Sequence, residues 1–257
     1  MSADMPRNDE SQQQEPSPPS RNYNGVLAHA KENKIDTAML GTRILTIFFT
    51  ILYVIPIFGN SQKYFTQALI ANAATSALRL HQRLPQFALT REFLSLLLIE
   101  DSCHYLFYTV IFLYVSPVFL ILLPIFLFAV LQSSSYTIKL LDILGTNSMV
   151  ILRLIISFVE FQSRNILRLC AFSEIFLMPL CIILVFMGRA GLLTPFIYYH
   201  FLSMRYLSRR NMYTRQMFSE LRMAVEVMAR NSPPFINRIL LGGISFVTRL
   251  APQQQAA

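Results

Sequence analysis

The chain has 257 residues, is 54% hydrophobic and only 14% charged, and carries a formal net charge of +8. That is too apolar for an ordinary soluble domain, and the length allows one domain plus tails. The charge is uneven: from Arg189 onward stand nine arginines, no lysine and two acids, Glu220 and Glu226.

Met1 to about Asn24 is rich in Ser, Gln, Pro and acids. It has too little apolar surface to offset ordering entropy, so the composition predicts a disordered tail over 1–24. The same residues hold no apolar core of a signal peptide, which leaves membrane targeting to an internal segment.

Asp36 is placed to cap a helix beginning near Thr37. Met39 to Phe58 follows, apolar except for Arg43 near its start, and its 20 residues fit one bilayer crossing. Pro56 and Gly59 mark its end. Tyr64 to Leu78 carries no charge but is rich in alanine, with Gln67, Asn72, Thr75 and Ser76 among them. Small residues such as Ala73 and Ala77 let membrane helices approach closely. The segment 64–80 reads as a possible extra membrane helix packed on the first span, or as an interfacial helix with Arg79 and Arg83 at the headgroups.

Thr90 resembles an N-cap for a short helix over Arg91–Ile99. Glu100, Asp101 and His104 then interrupt the apolar pattern. They suit helix capping and one-turn pairing better than metal binding, which would need further ligands at a usual spacing. From Tyr105 to Leu131 run 27 residues without a charge, a membrane signature. As one helix the run would be roughly 40 Å long against a hydrocarbon core of about 30 Å. Pro117 and Pro124 interrupt it. It is either one long kinked crossing, the reading preferred here, or a pair of half-helices that turns back.

Met149 to Val159 is too short to cross and reads as an interfacial helix. Leu167 to Met187 is the third strong span. Glu174 lies inside it, where an acid is costly and often functional. Pairing with Arg168 or with an arginine from another helix is the structural account; a proton or ion path is the functional one. The aromatic segment Pro195–Met204 suits a membrane interface.

From Tyr213 a 3.6-residue period sets Met217, Leu221, Val225 and Met228 on one face and Arg215, Arg222 and Arg230 on the other. Pro233-Pro234 ends that helix. Phe235–Leu250 forms a second amphipathic stretch with Ile239, Ile244 and Phe246 on its apolar side. Two basic amphipathic helices after the last span point to the cytosolic side and to anionic lipid. Packing on the protein's own body is the alternative. Nucleic acid is disfavoured because this basic stretch is thick with Leu, Met, Phe and Ile.

Cys103, Cys170 and Cys181 are odd in number and lie beside or within apolar helices, which argues against a disulfide framework. There is no Gly-rich phosphate loop, no zinc-protease motif, no nucleophile elbow and no Cys/His metal spacing. The expectation is an all-α, multi-span integral membrane protein without catalytic residues, metal or cofactor. Its layout is a polar tail over 1–24, a membrane-embedded helical domain over 25–188 (strong spans about 39–58, 105–131 and 167–187), and a basic cytosolic region over 189–257. The membrane-binding candidates are Arg209, Arg210, Met217, Leu221, Val225, Met228, Ile239, Ile244 and Phe246. The buried polar candidates are Glu100, Asp101, His104 and Glu174.

Several of these stretches, in this order and spacing, resemble the transmembrane protein 33 (Krüppel homologue 2) family. They are Lys34–Met39, Ala68–Pro85, Glu100–Tyr105, Glu174–Pro179, Pro195–Tyr199, Ser208–Asn211, Glu220–Arg222 and Arg249–Pro252. The resemblance implies a three-span, multi-pass protein of the endoplasmic reticulum and nuclear envelope. It also implies reticulon binding, tubule and sheet organisation, nuclear pore organisation and a link to the stress response. It implies a membrane-binding C-terminal helix, which maps onto Arg209 to Leu250, and it carries no catalytic residue. The function expected is therefore membrane organisation, with the lipid bilayer, reticulon-type and other membrane proteins, and pore components or transport receptors as partners. The alternatives are an adaptor or regulator of membrane channels and stress signalling, and a small transporter using Glu174.

Overall fold

The computed structural model describes residues 22–55, 59–84, 90–145, 150–208 and 211–250. These form eleven helices and no strand. Three of them are long and apolar enough to cross a membrane: Lys34–Val54, Phe119–Leu144 and Ser163–Phe186. The all-α, multi-span expectation holds.

Helix α1 spans Tyr23–Glu32. Asn22 caps it, accepting from the Gly25 N–H at 2.8 Å, and its own N–H donates to the Leu144 carbonyl at 3.2 Å. Helix α1 thus begins just inside the stretch assigned to the polar tail; the rest of that tail lies outside the described residues. Helix α2 (Lys34–Val54) starts earlier than expected, with Asn33 as cap residue and Asp36 in its first turn.

Helix α3 (Ser61–Arg83) returns antiparallel alongside α2. Tyr53 and Phe65 rings meet near the connection at 5.8 Å, Thr75 donates to the Thr42 hydroxyl at 2.8 Å, and Gln82 reaches Asp36 at 3.1 Å near the far end. The hairpin foreseen for residues 64–80 is therefore the arrangement found. Pro56 lies outside the described residues, while Gly59 takes a φ of +82°, a left-handed turn that glycine adopts without a Cβ penalty. Helix α2 is polar inside and apolar outside. Arg43, Thr46 and Thr50 are buried, and Ile44, Phe48 and Ile51 are exposed. That inversion is what a lipid solvent imposes.

The 27-residue apolar run is not one kinked helix. Helix α4 (Arg91–Ile99) and helix α5 (Asp101–Phe112) are bent by 80° at Glu100, and α5 stops at Phe112. Helix α6 begins only at Phe119 and continues to Leu144. Pro117 explains the break: it lacks an N–H and pushes Ser116 out of helical geometry. Ser116 instead donates to the Arg189 carbonyl at 3.0 Å, and the Tyr108 hydroxyl donates to the Ile121 carbonyl at 2.7 Å. The second candidate span is thus Phe119–Leu144 rather than 105–131. The half after the break reaches crossing length because polar Gln132–Ser135 and Lys139 continue the helix. Pro124 is held inside α6.

Helix α7 (Val150–Phe161) is the short helix expected after the second span, and α8 (Ser163–Phe186) contains the third. Gly188 (φ +69°) closes α8 and leads to α9 (Thr194–Leu207). The α9 aromatics divide: Phe196 is exposed, whereas two others turn inward. Tyr198 and Phe201 are completely buried with Tyr108 and Phe112 of α5, their rings 4.7–6.2 Å apart. Helices α10 (Met212–Arg230) and α11 (Pro234–Leu250) complete the chain. The main core joins α3, α5, α6, α8 and α9; a smaller one joins Leu141, Leu144 and Ile156, with Val26 and Ile138 packed against it.

Candidate functional site

Glu174, at the middle of α8, is fully buried. Its carboxylate accepts from the Tyr105 hydroxyl on one oxygen and from Arg205 Nε, at 3.2 Å, on the other. Arg205 comes from the last turn of α9 and is itself buried. Its Nη1 donates to Asp101 Oδ1 at 3.1 Å, and its guanidinium lies 5.2 Å from the Tyr105 ring centre and 5.8 Å from that of Phe128. One arginine therefore ties α5, α6, α8 and α9 together. Charge-assisted bonds and cation–π contacts are strong where water is excluded.

Arg205, outside the three candidate spans, stays charged. Burial alone lowers its pKa, but the adjacent Glu174, with Tyr105 and Asp101, outweighs this and raises it above the ordinary value. A buried ion pair of this kind holds geometry; breaking one partner is costly.

The other acids and His104 sit close by. Ser208 donates to Asp101 at 3.5 Å, which adds the chain after α9 to the cluster. His104 is buried, with Nε2 2.7 Å from the Leu98 carbonyl and Nδ1 3.9 Å from Asp101. The short contact to a carbonyl requires the proton on Nε2. Glu100, at the bend between α4 and α5, pairs with Arg83 from the end of α3. Arg205 thus links Asp101 to Glu174, while His104 lies beside Asp101 and Glu100 pairs with Arg83. Among the described residues no group of three His, Cys, Asp or Glu side chains could hold a metal ion.

Arg205 is the arginine from another helix that the sequence allowed as a partner of Glu174 without naming it. The signal was present as a single buried-length arginine ending an aromatic helix, but Arg168 stood closer in sequence to Glu174. Arg168 instead pairs with Glu220 of α10 at 2.7 Å.

A cavity of about 190 Å³ opens beside this cluster. Arg43 of α2, Arg79 and Arg83 of α3, Asp101 and Arg205 line it, together with Asn72, Ser76 and Gln132. Asn72 donates to Thr109 at 2.9 Å.

The membrane-binding candidates divide between two environments. Met217 is buried and Leu221 and Val225 are half-buried where α10 leans on α8 and α9. Met228 is 60% exposed and Ile239 57% exposed. Ile244 is half-buried on α11. Phe246 belongs to α11, its side chain outside what is described, and Arg209 and Arg210 lie outside the described residues. Exposed apolar residues beyond those foreseen are Met223 and Val227 of α10 and Phe235, Ile236 and Leu241 of α11. Ile239 stands three residues from Ile236 and four from Phe235, so both neighbour it on one side of α11.

Residues 18–253 match the family model described as Transmembrane protein 33/Nucleoporin POM33. The chain is 54% identical over 232 residues to Krueppel homolog 2 of Drosophila melanogaster, covering 90% of this chain and 84% of that one. It is 46% identical over 232 residues to Transmembrane protein 33 of Homo sapiens, with 89% and 94% covered. It is 39% identical over 235 residues to the Transmembrane protein 33 homolog of Caenorhabditis elegans, with 90% and 86% covered. No solved structure matches it. A match across nearly the whole chain, joined to three apolar helices of crossing length, makes this an integral membrane protein of the Transmembrane protein 33/Nucleoporin POM33 family.

Proposed function

We propose that the protein is a non-enzymatic organiser of endoplasmic reticulum and nuclear envelope membrane. Its C-terminal helices lie in the cytosolic leaflet, and partners of the reticulon and nuclear pore kind are met through the membrane region. The observation that carries this reading is the uncovered apolar side of α11, with Phe235 74% exposed and Ile239 57% exposed, flanked by the exposed Arg238. An apolar stripe with basic flanks inserts at the headgroup boundary and expands one leaflet, which favours curvature.

The charge at the two bundle ends supports the orientation. Arg79, Arg83, Arg168 and Arg205 lie toward the end from which α10 leaves. Lys63 and Arg189 lie toward the other. An excess of arginine marks the cytosolic side. Because α2 and α3 form a hairpin, the start of α2 belongs to that same side. The transporter alternative loses support from the saturation of Glu174 by Tyr105 and Arg205, which leaves the carboxylate a bracing role.

The test is reconstitution of the full chain into liposomes containing anionic lipid, with vesicle diameter read by cryo-electron microscopy. The wild-type protein should narrow the vesicles, and the exposed double substitution Ile236→Asp/Ile239→Asp should abolish narrowing while leaving the protein inserted. Equal narrowing by both proteins would overturn the reading.

A further inference from the structure

We propose that the cavity between α2, α3 and the Arg205 cluster is a binding site for a phosphate-bearing anion, either a lipid headgroup or free inorganic phosphate.

The argument starts at Arg43. It sits on an apolar helix and is only 7% exposed. Among the described residues no carboxylate forms an ion pair with it: its contacts are long ones, from Nη1 to the Gln132 carbonyl at 3.5 Å and from Nη2 to Met39 Sδ at 3.8 Å. Its Nε is buried and has no hydrogen-bond partner. An uncompensated guanidinium in such a place is costly. The other cations of the site have partners, Arg79 included. Arg205 is matched by Glu174 and Asp101, and Arg83 by Glu100.

Arg43 lines a cavity of mixed character, in which polar side chains stand beside Phe128, Ala129 and Leu167. Arg79 lines the same cavity from α3, so two guanidiniums address one volume, with amide and hydroxyl groups of Asn72, Ser76 and Gln132 around it. The volume is about 190 Å³, against roughly 10–15 Å³ needed for one water on a comparable measure. A tetrahedral oxyanion supplies what Arg43 lacks: several acceptors within one small volume, suited to guanidinium forks. The exposed Arg83 at the end of α3 marks the side from which such a group enters.

This site is separate from the lipid contact proposed for α11, and the experiment keeps the two apart. The full chain is held in maltoside micelles, which carry no phosphate, and its thermal unfolding midpoint is measured in chloride buffer. One arm adds inorganic phosphate and the other a short-chain phosphatidic acid. A rise of a few degrees is expected in at least one arm, and the responding arm names the source; no rise in either overturns the proposal. Arg43→Gln should weaken the response about tenfold or more, as expected for loss of a charge-assisted contact; a full response in that variant also overturns it. Should Arg43→Gln fail to fold, Thr46→Asp serves instead. It places a carboxylate one turn from Arg43, within the cavity lining, and should remove the response; a wild-type response there overturns the proposal. Ile236→Asp/Ile239→Asp should keep the whole effect. Its loss in that variant would assign the effect to α11 and overturn the cavity site while leaving the membrane-shaping reading intact.

Discussion

The Arg205 cluster and helix α11 treat charge and apolar surface in opposite ways. In the cluster, Glu174 and Arg205 are taken out of solvent, Asp101 only partly, and each finds a partner on another helix. On α11, arginine stays outside and apolar side chains are left uncovered. The first arrangement fixes where helices stand relative to one another. The second makes few demands on geometry and leaves a surface to be covered by something else. A residue's type alone does not tell which regime it belongs to; its neighbours across the fold do.

Substitutions should separate the two regimes by size of effect. Arg205→Leu should be the most damaging, because it strands Glu174 in the core; a loss of about 3–5 kcal/mol is expected for breaking one partner of a buried pair. Unfolding in mixed micelles measures it, and a loss no larger than for surface positions would place the cluster with α11. Tyr105→Phe keeps the ring over Arg205 and removes one bond to Glu174, so about 1–2 kcal/mol is expected in the same assay. Met223→Ser on the exposed side of α10 should stay within about 0.5 kcal/mol. A clear destabilisation there would show that this surface is covered by the protein itself.

Much of the layout was legible in the sequence. The Thr90 cap is seen, accepting from Phe93 N–H at 3.2 Å, and α10 ends where Pro233-Pro234 said it would. These features are local, set by neighbours along the chain. The missed ones are set across it. The break at Leu113–Val118 needed Pro117 to be weighed above a run of apolar residues. The core role of Tyr198 and Phe201 depends on α5 lying against α9. Arg205 reaches Glu174 across 31 positions and Asp101 across 104, and no periodicity reports such distances. The pairing of Glu100 with Arg83 was likewise a tertiary fact, the acid being foreseen only as an expensive residue.

The hairpin of α2 and α3 bears on how the protein is made. Helix α3 is too polar to leave water alone, and α2 exposes the guanidinium of Arg43 and the hydroxyls of Thr46 and Thr50 if it enters without a companion. Side by side, each hides what the other cannot present to lipid, as Thr42 and Thr75 do at 2.8 Å. The two helices are therefore suited to leave the translocation machinery as one unit. Synthesis through Arg83, rather than to the end of the first apolar stretch, is then the expected condition for α2 to settle in the bilayer, which stepwise truncation of the nascent chain would test.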